Sequence, residues 1–267
     1  MLYISSSAPQ INKQVSHSVV VLPLGAIEQH GPHLAVSTDT DLVTAIAHEV
    51  EARCREDILL CPTLPVGSSH HHLTLGGTLS VSPAVYTDLL VDLVSTMLDN
   101  GFRRIILLNG HGGNVTPARQ ALAILSAKYD GTLNPNIAMA TYWELASEYF
   151  AGHQHMASPA LSHACEYETS MMLHLYPEKV FSDKMERATR PPSNGYIPWE
   201  DDEPYKGVTM IKQSRYISGN GSSGEPRLGT AEKGAFLFEH AVEALVRFVT
   251  SFKNWPFATD LTQSLDR

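Results

Sequence analysis

The chain has 267 residues, 43% of them hydrophobic, and a formal charge of −9. That much apolar material can fill one large α/β domain, and the acidic balance argues against nucleic acid or an anionic membrane as partner, because such binders gather Lys and Arg against phosphates. Residues 1–15 lack a basic segment followed by an apolar core, no apolar run reaches the roughly 18 residues of a membrane span, and Cys54, Cys61 and Cys165 include no Cys-x-x-Cys; a soluble protein of the reducing cytoplasm, binding neutral or cationic small molecules, is expected.

The first predicted element is a strand over 19–24, Val-Val-Val-Leu-Pro-Leu, apolar enough to be covered on both faces. A helix over 41–55 follows, with Leu42, Ile46, Ala47 and Val50 at helical spacing and Thr40 or Asp41 as N-cap. The beat repeats with a strand over 57–64 and a helix that begins at Ser82-Pro83, runs to Asn100 and stops at Gly101. A strand over 104–108, a helix over 114–128, a strand over 137–143 and a helix over 166–176 ended by Pro177 come next. Such alternation predicts an α/β three-layer sandwich, a mostly parallel central sheet with helices on both faces. Residues 177–230 turn to Pro, Gly, Ser and charge, including Glu200-Asp201-Asp202-Glu203, and read as a loop-rich insertion near the active site of a single domain spanning 1–267. The acidic run reads as a solvated surface. An amphipathic helix over 231–252 closes the chain.

Thirteen histidines is a high count, and many stand beside Gly or acidic residues. Glu28-Gln29-His30 directly follows the first strand, and alternation along extended backbone points Glu28 and His30 the same way. Asp39 sits at the mouth of the first helix, where it is either a cap or a third converging group. Asn109-Gly110-His111-Gly112-Gly113-Asn114 lies between a strand and a helix, at the sheet edge where open α/β folds bind ligands. Gly112 and Gly113 let backbone approach a ligand, and His111 is the one metal-capable side chain there. An anion-cradling turn is the alternative, but the Lys and Ser/Thr of a phosphate loop are missing. Two carboxylates and two imidazoles make a donor set suited to Zn, Mn or Fe rather than a thiolate site.

His163-Ala164-Cys165-Glu166-Tyr167-Glu168-Thr169-Ser170 opens a further helix. Its acids suit a first helical turn, which leaves His163 unexplained. Gly219-Asn220-Gly221-Ser222-Ser223-Gly224 fits the dinucleotide pattern in letters but has no strand before it, and reads as a flexible loop. His70-His71-His72 cannot all face one ion, and His72 is the member expected to face the site.

Leu24-Gly25-Ala26-Ile27-Glu28-Gln29-His30-Gly31-Pro32-His33-Leu34 with Asp39, the Asn109–Asn114 hexapeptide, the segment from His163 to Ser170, and Ser223-Gly224-Glu225-Pro226-Arg227 through Gly234 together resemble the creatininase family, in its order and over nearly the whole chain. The resemblance implies two divalent metal ions and hydrolysis of creatinine or a related small-molecule amide, in a homo-oligomer that is often a hexamer. By position, Glu28 and His30 each hold one metal, Asp39 bridges them and His111 completes the first site. His163 handles protons at the scissile nitrogen, with a pKa expected near the ordinary 6.5, and Trp143 belongs to the substrate pocket along with His72, Gly112 and Gly113. Two departures bear on the substrate. Creatininase proper has a carboxylate where this chain has Gly113, so Glu168 is expected to bind the second metal or take the water's proton. It also has a tryptophan where this chain has Pro159, so a creatinine-stacking flap is not expected. A metal-dependent C–N hydrolase is therefore the leading reading, with creatinine, another cyclic amide, a formamide or a modified peptide as substrate. The alternative from another class is a metal-free small-molecule or anion binder. A dinuclear phosphoesterase is a further enzyme reading, but the motifs supply no Lys or Arg for a phosphate.

Overall fold

Val19–Leu24 (β1) is buried along its whole length, as its apolar run requires. In the computed structural model, which describes residues 1–188 and 218–261, β1 pairs in parallel with Ile58–Leu60 (β2) on one side and with Arg104–Asn109 (β3) on the other. Asn136–Thr141 (β4) extends the sheet beyond β3, giving the order β2-β1-β3-β4 with every pairing parallel. The run at 200–203 and residues 189–217 of the predicted insertion lie outside the described residues.

Alternation sends Val19 and Val21 into one apolar layer and Val20, Leu22 and Leu24 into the other. The first layer holds Thr38–Arg53 (α2), Glu166–Leu175 (α7) and Ala231–Lys253 (α8). The second holds Ala8–Asn12 (α1), Pro83–Asp99 (α3) and Val115–Tyr129 (α4). This is the predicted three-layer arrangement. Among the described residues no helix is long and apolar enough to cross a membrane.

The boundaries differ for physical reasons. The expected 57–64 strand is paired only to Leu60, because Pro62 offers no N–H to the ladder, and contact resumes as a single bridge from Leu64 to Leu24. β4 stops at Thr141, and Tyr142–Leu145 (α5) and Ser147–Phe150 (α6) curl away, so Trp143 lies in a short helix rather than a strand. α2 begins three residues early, with Ser37 rather than Thr40 or Asp41 at its N-cap position. Ser82 caps α3 by accepting from the Val85 N–H.

The chain leaves β1 toward β2 on one side and later returns to β3 on the other, so the β1/β3 boundary is the point where the winding reverses. Ligand crevices of open parallel sheets form outside the carboxyl ends of strands at such a point. Glu28 and His30 follow β1 there, and His111 follows β3.

Candidate metal centre

The N-terminal turn of α2 lies against both strand exits. A Cβ at Gly25 would stand 2.7 Å from the Thr40 Cα, and one at Gly110 would stand 2.6 Å from the Val43 Cβ. Only hydrogen at these two positions allows so close an approach, and the result is that Asp39 enters between the residues that follow β1 and β3. Its carboxylate does not cap the helix. Asp39 Oδ1 is 3.2 Å from His30 Nε2, and Oδ2 is 2.9 Å from His111 Nδ1. Glu28 Oε2 lies 3.3 Å from His111 Nε2, while Oε1 lies 3.4 Å from His72 Nε2 and 3.5 Å from His163 Nδ1. Glu168 Oε1 closes the other side, 4.0 Å from His30 Nε2.

Glu28, Asp39 and Glu168 are all buried, and among the described residues their ion-pair partners are imidazoles, never Lys or Arg. Burial opposes charge on His30, yet Asp39, Glu168 and Glu28 outweigh it and lift that imidazole to about 10. Burial likewise works against His111, and Glu28 and Asp39 lift it to about 9. Asp39 is buried too, but His30 and His111 hold it well below the ordinary carboxylate range. Burial raises Glu28 against the opposing pull of His111 and His30, and raises Glu168 to about 7 against that of His30. Without a metal, the buried acids thus favour the protonated forms of His30 and His111.

A divalent cation can replace those protons, and the donors fit one. Glu28 Oε2 and Asp39 Oδ2 are buried without a hydrogen bond of good geometry. His30 donates from Nδ1 to the Glu28 carbonyl at 3.1 Å, which leaves Nε2 directed at Asp39 and Glu168, the way a backbone acceptor orients a ligating imidazole. The groups Glu28, His30, Asp39 and His30, His163, Glu168 each bring their donor atoms within 4.8 Å of one another. An anion in the Gly110–Gly113 turn would meet the Glu28 and Asp39 carboxylates beside His111, so the anion-cradle reading is disfavoured.

Gln29, absent from the sequence-based site, organises the next ring of contacts. Its amide nitrogen is 2.8 Å from His72 Nδ1 and 3.0 Å from the Gly221 carbonyl, two acceptors for two hydrogens. His163 Nε2 donates to the Gln29 backbone carbonyl at 2.7 Å, so the 3.0 Å approach of the Gln29 amide nitrogen to that atom is a contact and not a bond. This tautomer leaves His163 Nδ1 as an acceptor facing Glu28. Burial, with His30 and His72 close by, pushes His163 well below the expected 6.5, so the ring is neutral rather than poised near working pH.

The segment carrying His163 is tied on three sides. Ser223 Oγ accepts from the His163 N–H, and the Ser223 N–H returns to the His163 carbonyl, both at 2.9 Å. Gly221, Ser222 and Ser223 are buried, so this part of the 219–224 segment is a packed wall of the site and not the expected flexible loop. Ala164 takes a positive φ of 50°, uncommon for a residue with a Cβ, and its N–H is bonded to Glu168 Oε2. Glu166, two residues earlier on α7, points away and accepts from the Ala157 and Ser158 N–H groups and from Lys233 of α8.

Glu28, His30, Asp39, His111, Glu168, His72 and His163 therefore converge. Gly113 lies against His111, and Gly112 opens outward with nothing near its Cβ position. Trp143 packs edge-on against Tyr142 at 4.9 Å and on the α2/α7/α8 layer, and among the described contacts none joins it to the acids and imidazoles. Buried Tyr142 is the aromatic whose hydroxyl senses them, raised by burial and then by Glu168 and Asp39. His71 was also missed: it belongs with Glu28 and His111.

A family model described as creatinine amidohydrolase, creatininase, matches residues 5–249. A mycofactocin precursor peptide peptidase of Mycobacterium tuberculosis is 30% identical over 246 residues, covering 89% of this chain and 86% of the relative. The creatinine amidohydrolase of Pseudomonas putida is 27% identical over 238 residues, 85% of this chain and 86% of the relative. A crystal structure of creatinine amidohydrolase superimposes with a TM-score of 0.79 at 21% identity, covering 96% of this chain and 98% of the other. A manganese creatininase and a zinc–zinc form each give 0.77 at 22% identity, covering 95% of this chain, with 99% of the former and 98% of the latter.

Proposed function

Because this chain belongs to the creatininase family, we propose that it is a metal-dependent amidohydrolase that cleaves a C–N amide bond of a small molecule. The observation that carries the reading is the group of three buried carboxylates whose only described ion-pair partners are imidazoles, with orphaned Glu28 Oε2 and Asp39 Oδ2 at its centre. Glu28, Asp39 and His111 would hold one ion, His30, Asp39 and Glu168 the other, drawn from Zn, Mn or Fe. Bound there, two divalent ions supply a water acidic enough to attack at neutral pH and positive charge for the developing oxyanion.

The chain's own residues do the rest. Neutral His163 offers Nδ1 to take the proton of the attacking water, and then returns it to the leaving nitrogen, a general base that becomes a general acid. The Gln29 backbone carbonyl fixes the tautomer that makes this possible, and the Gln29 side chain holds His72 beside it. The positions of Gly112, Gly113 and His72 around the opening suit contact with substrate. Trp143 packs on Tyr142 and the apolar layer and takes no part in these steps.

Creatinine or another cyclic amide is the first substrate class. A modified peptide is the second, favoured by the 30% identity to the mycofactocin precursor peptide peptidase and by Pro159 in the place of the creatininase tryptophan; a formamide shares the same chemistry. Assembly as a homo-oligomer, a hexamer by resemblance, and a cytoplasmic location complete the proposal. Elemental analysis of protein purified without chelator, followed by hydrolysis assays on creatinine, formamides and short amidated peptides with added Mn, Zn and Fe, tests it. Bound metal with C–N hydrolysis is expected. Absence of metal together with no activation by any of the three would sink it.

A further inference from the structure

We propose that His71 is a further ligand of the ion held by Glu28 and His111; the inference rests on the metal-dependent reading above. No side chain fits at Gly113. A Cβ there would stand 2.2 Å from the Ser68 carbonyl oxygen, 2.4 Å from His111 Nε2 and 2.9 Å from His71 Cε1. The first of these is backbone and cannot swing aside. The space beside His111 is filled instead by the segment leading into the 3-10 turn His70–Leu75.

A 3-10 turn has three residues per turn, so consecutive side chains leave it in three different directions. His70 turns outward to Ser80 Oγ at 2.7 Å, and His72 turns inward to Gln29 and Glu28 Oε1. His71 goes the third way, its ring parallel to that of His111 within 8° at a centroid distance of 5.9 Å. A ring nitrogen of His71, a carboxylate oxygen of Glu28 and a ring nitrogen of His111 all lie within 4.8 Å of one another. Ions such as zinc bind nitrogen and oxygen donors at about 2.0–2.2 Å, so one ion can reach all three with a small rotation of the exposed His71 ring. The adjacent Glu28 Oε2 has no hydrogen-bond partner to give up. Consecutive histidines thus serve Glu28 from two sides, and the His111 ion gains a second imidazole while the His30 ion keeps a carboxylate-rich set. Imidazole favours zinc and carboxylate accommodates manganese, so the two positions are expected to differ in metal preference.

The full-length chain, stripped with chelator and titrated with Co(II), tests this through visible absorption and competition with a fluorescent chelator. The unchanged chain is expected to bind two ions. His71→Ala and His71→Gln are expected to weaken one of them by at least about 10-fold and to leave the other alone, the scale on which lost support costs metal affinity. His70→Ala, which removes only the outward ring, is expected to bind as the unchanged chain does. Two ions bound by both His71 variants with unaltered affinities and spectra would overturn the assignment while leaving the amidohydrolase reading intact. An unchanged chain that takes up no cobalt would overturn both.

Discussion

Around Glu28, Asp39 and Glu168, at the carboxyl edge of the sheet, stand His30, His71, His72, His111 and His163, whereas on the flank made by α6 and α8 His153, His155 and His240 gather against Tyr149 and Phe236. In the second group His240 stacks on Tyr149 at 3.8 Å, and Phe236 receives His155 at 4.6 Å and His153 at 5.0 Å. Its described acid partner is Glu243, 3.2 Å from His240 and half exposed to water. The rings there act as flat aromatic bodies. The rings at the sheet edge act as counter-charges. What separates the two is the presence of buried carboxylates that no Lys or Arg neutralises, so histidine number alone locates neither site nor chemistry.

The comparison can be broken most severely at Asp39. Asp39→Ala removes the carboxylate that meets both His30 and His111, and activity should fall to background with both ions lost by elemental analysis. His163→Ala should reduce kcat by about 10²–10⁴-fold with metal content retained, as single-turnover assays on fully loaded protein would show. Gln29→Leu, which removes one of the contacts that orient His72 and loosens the wall at Gly221, should cost about 10–100-fold in activity or metal affinity, with a smaller change in melting temperature. The charge account is sharpened by pH. His30 and His111 are raised from an ordinary 6.5 to about 10 and about 9. Such imidazoles contribute stability below pH 6.5 that is lost as pH rises through their folded values, so chelator-stripped protein should melt at progressively lower temperature from pH 6.5 to 10, and added Mn or Zn should flatten that slope. At the other group, His153→Ala and His240→Ala should leave metal content and kcat unchanged and shift stability by no more than about 1 kcal/mol, as expected for aromatic contacts; a loss of metal there would erase the distinction.

Much of this was legible in the residues. β1, β3 and the helices over 83–99, 115–129 and 166–175 follow from apolar period, Ser-Pro starts and Gly or Pro stops, because those signals are local. The convergence of Glu28, His30, Asp39 and His111 was legible as well, since strand ends in a parallel sheet face a common crevice. What stayed hidden depends on contacts far apart in sequence. Gln29 sits between two signalled residues, yet its role needs Gly221 and His163 brought to it. His71 needs the turn geometry of 70–75, which packs it and Ser68 against Gly113. The 219–224 loop resembles a flexible glycine-rich stretch in composition, and only its bonds to His163 and its buried Ser222 make it a wall. His163 looked tunable around neutral pH because sequence spacing says nothing about burial.

The start of α7 works as a ruler. Glu166 and Glu168 are two residues apart, about 200° around a helix, and so serve opposite clients: one ties residues 157–158 to α8, the other meets Ala164 and His30 in the site. Both lengths are set by the same turn. Inserting or deleting one residue between Glu166 and Glu168 would turn one acid by about 100° relative to the other, so that the tie to α8 and the carboxylate of the site could not both be kept.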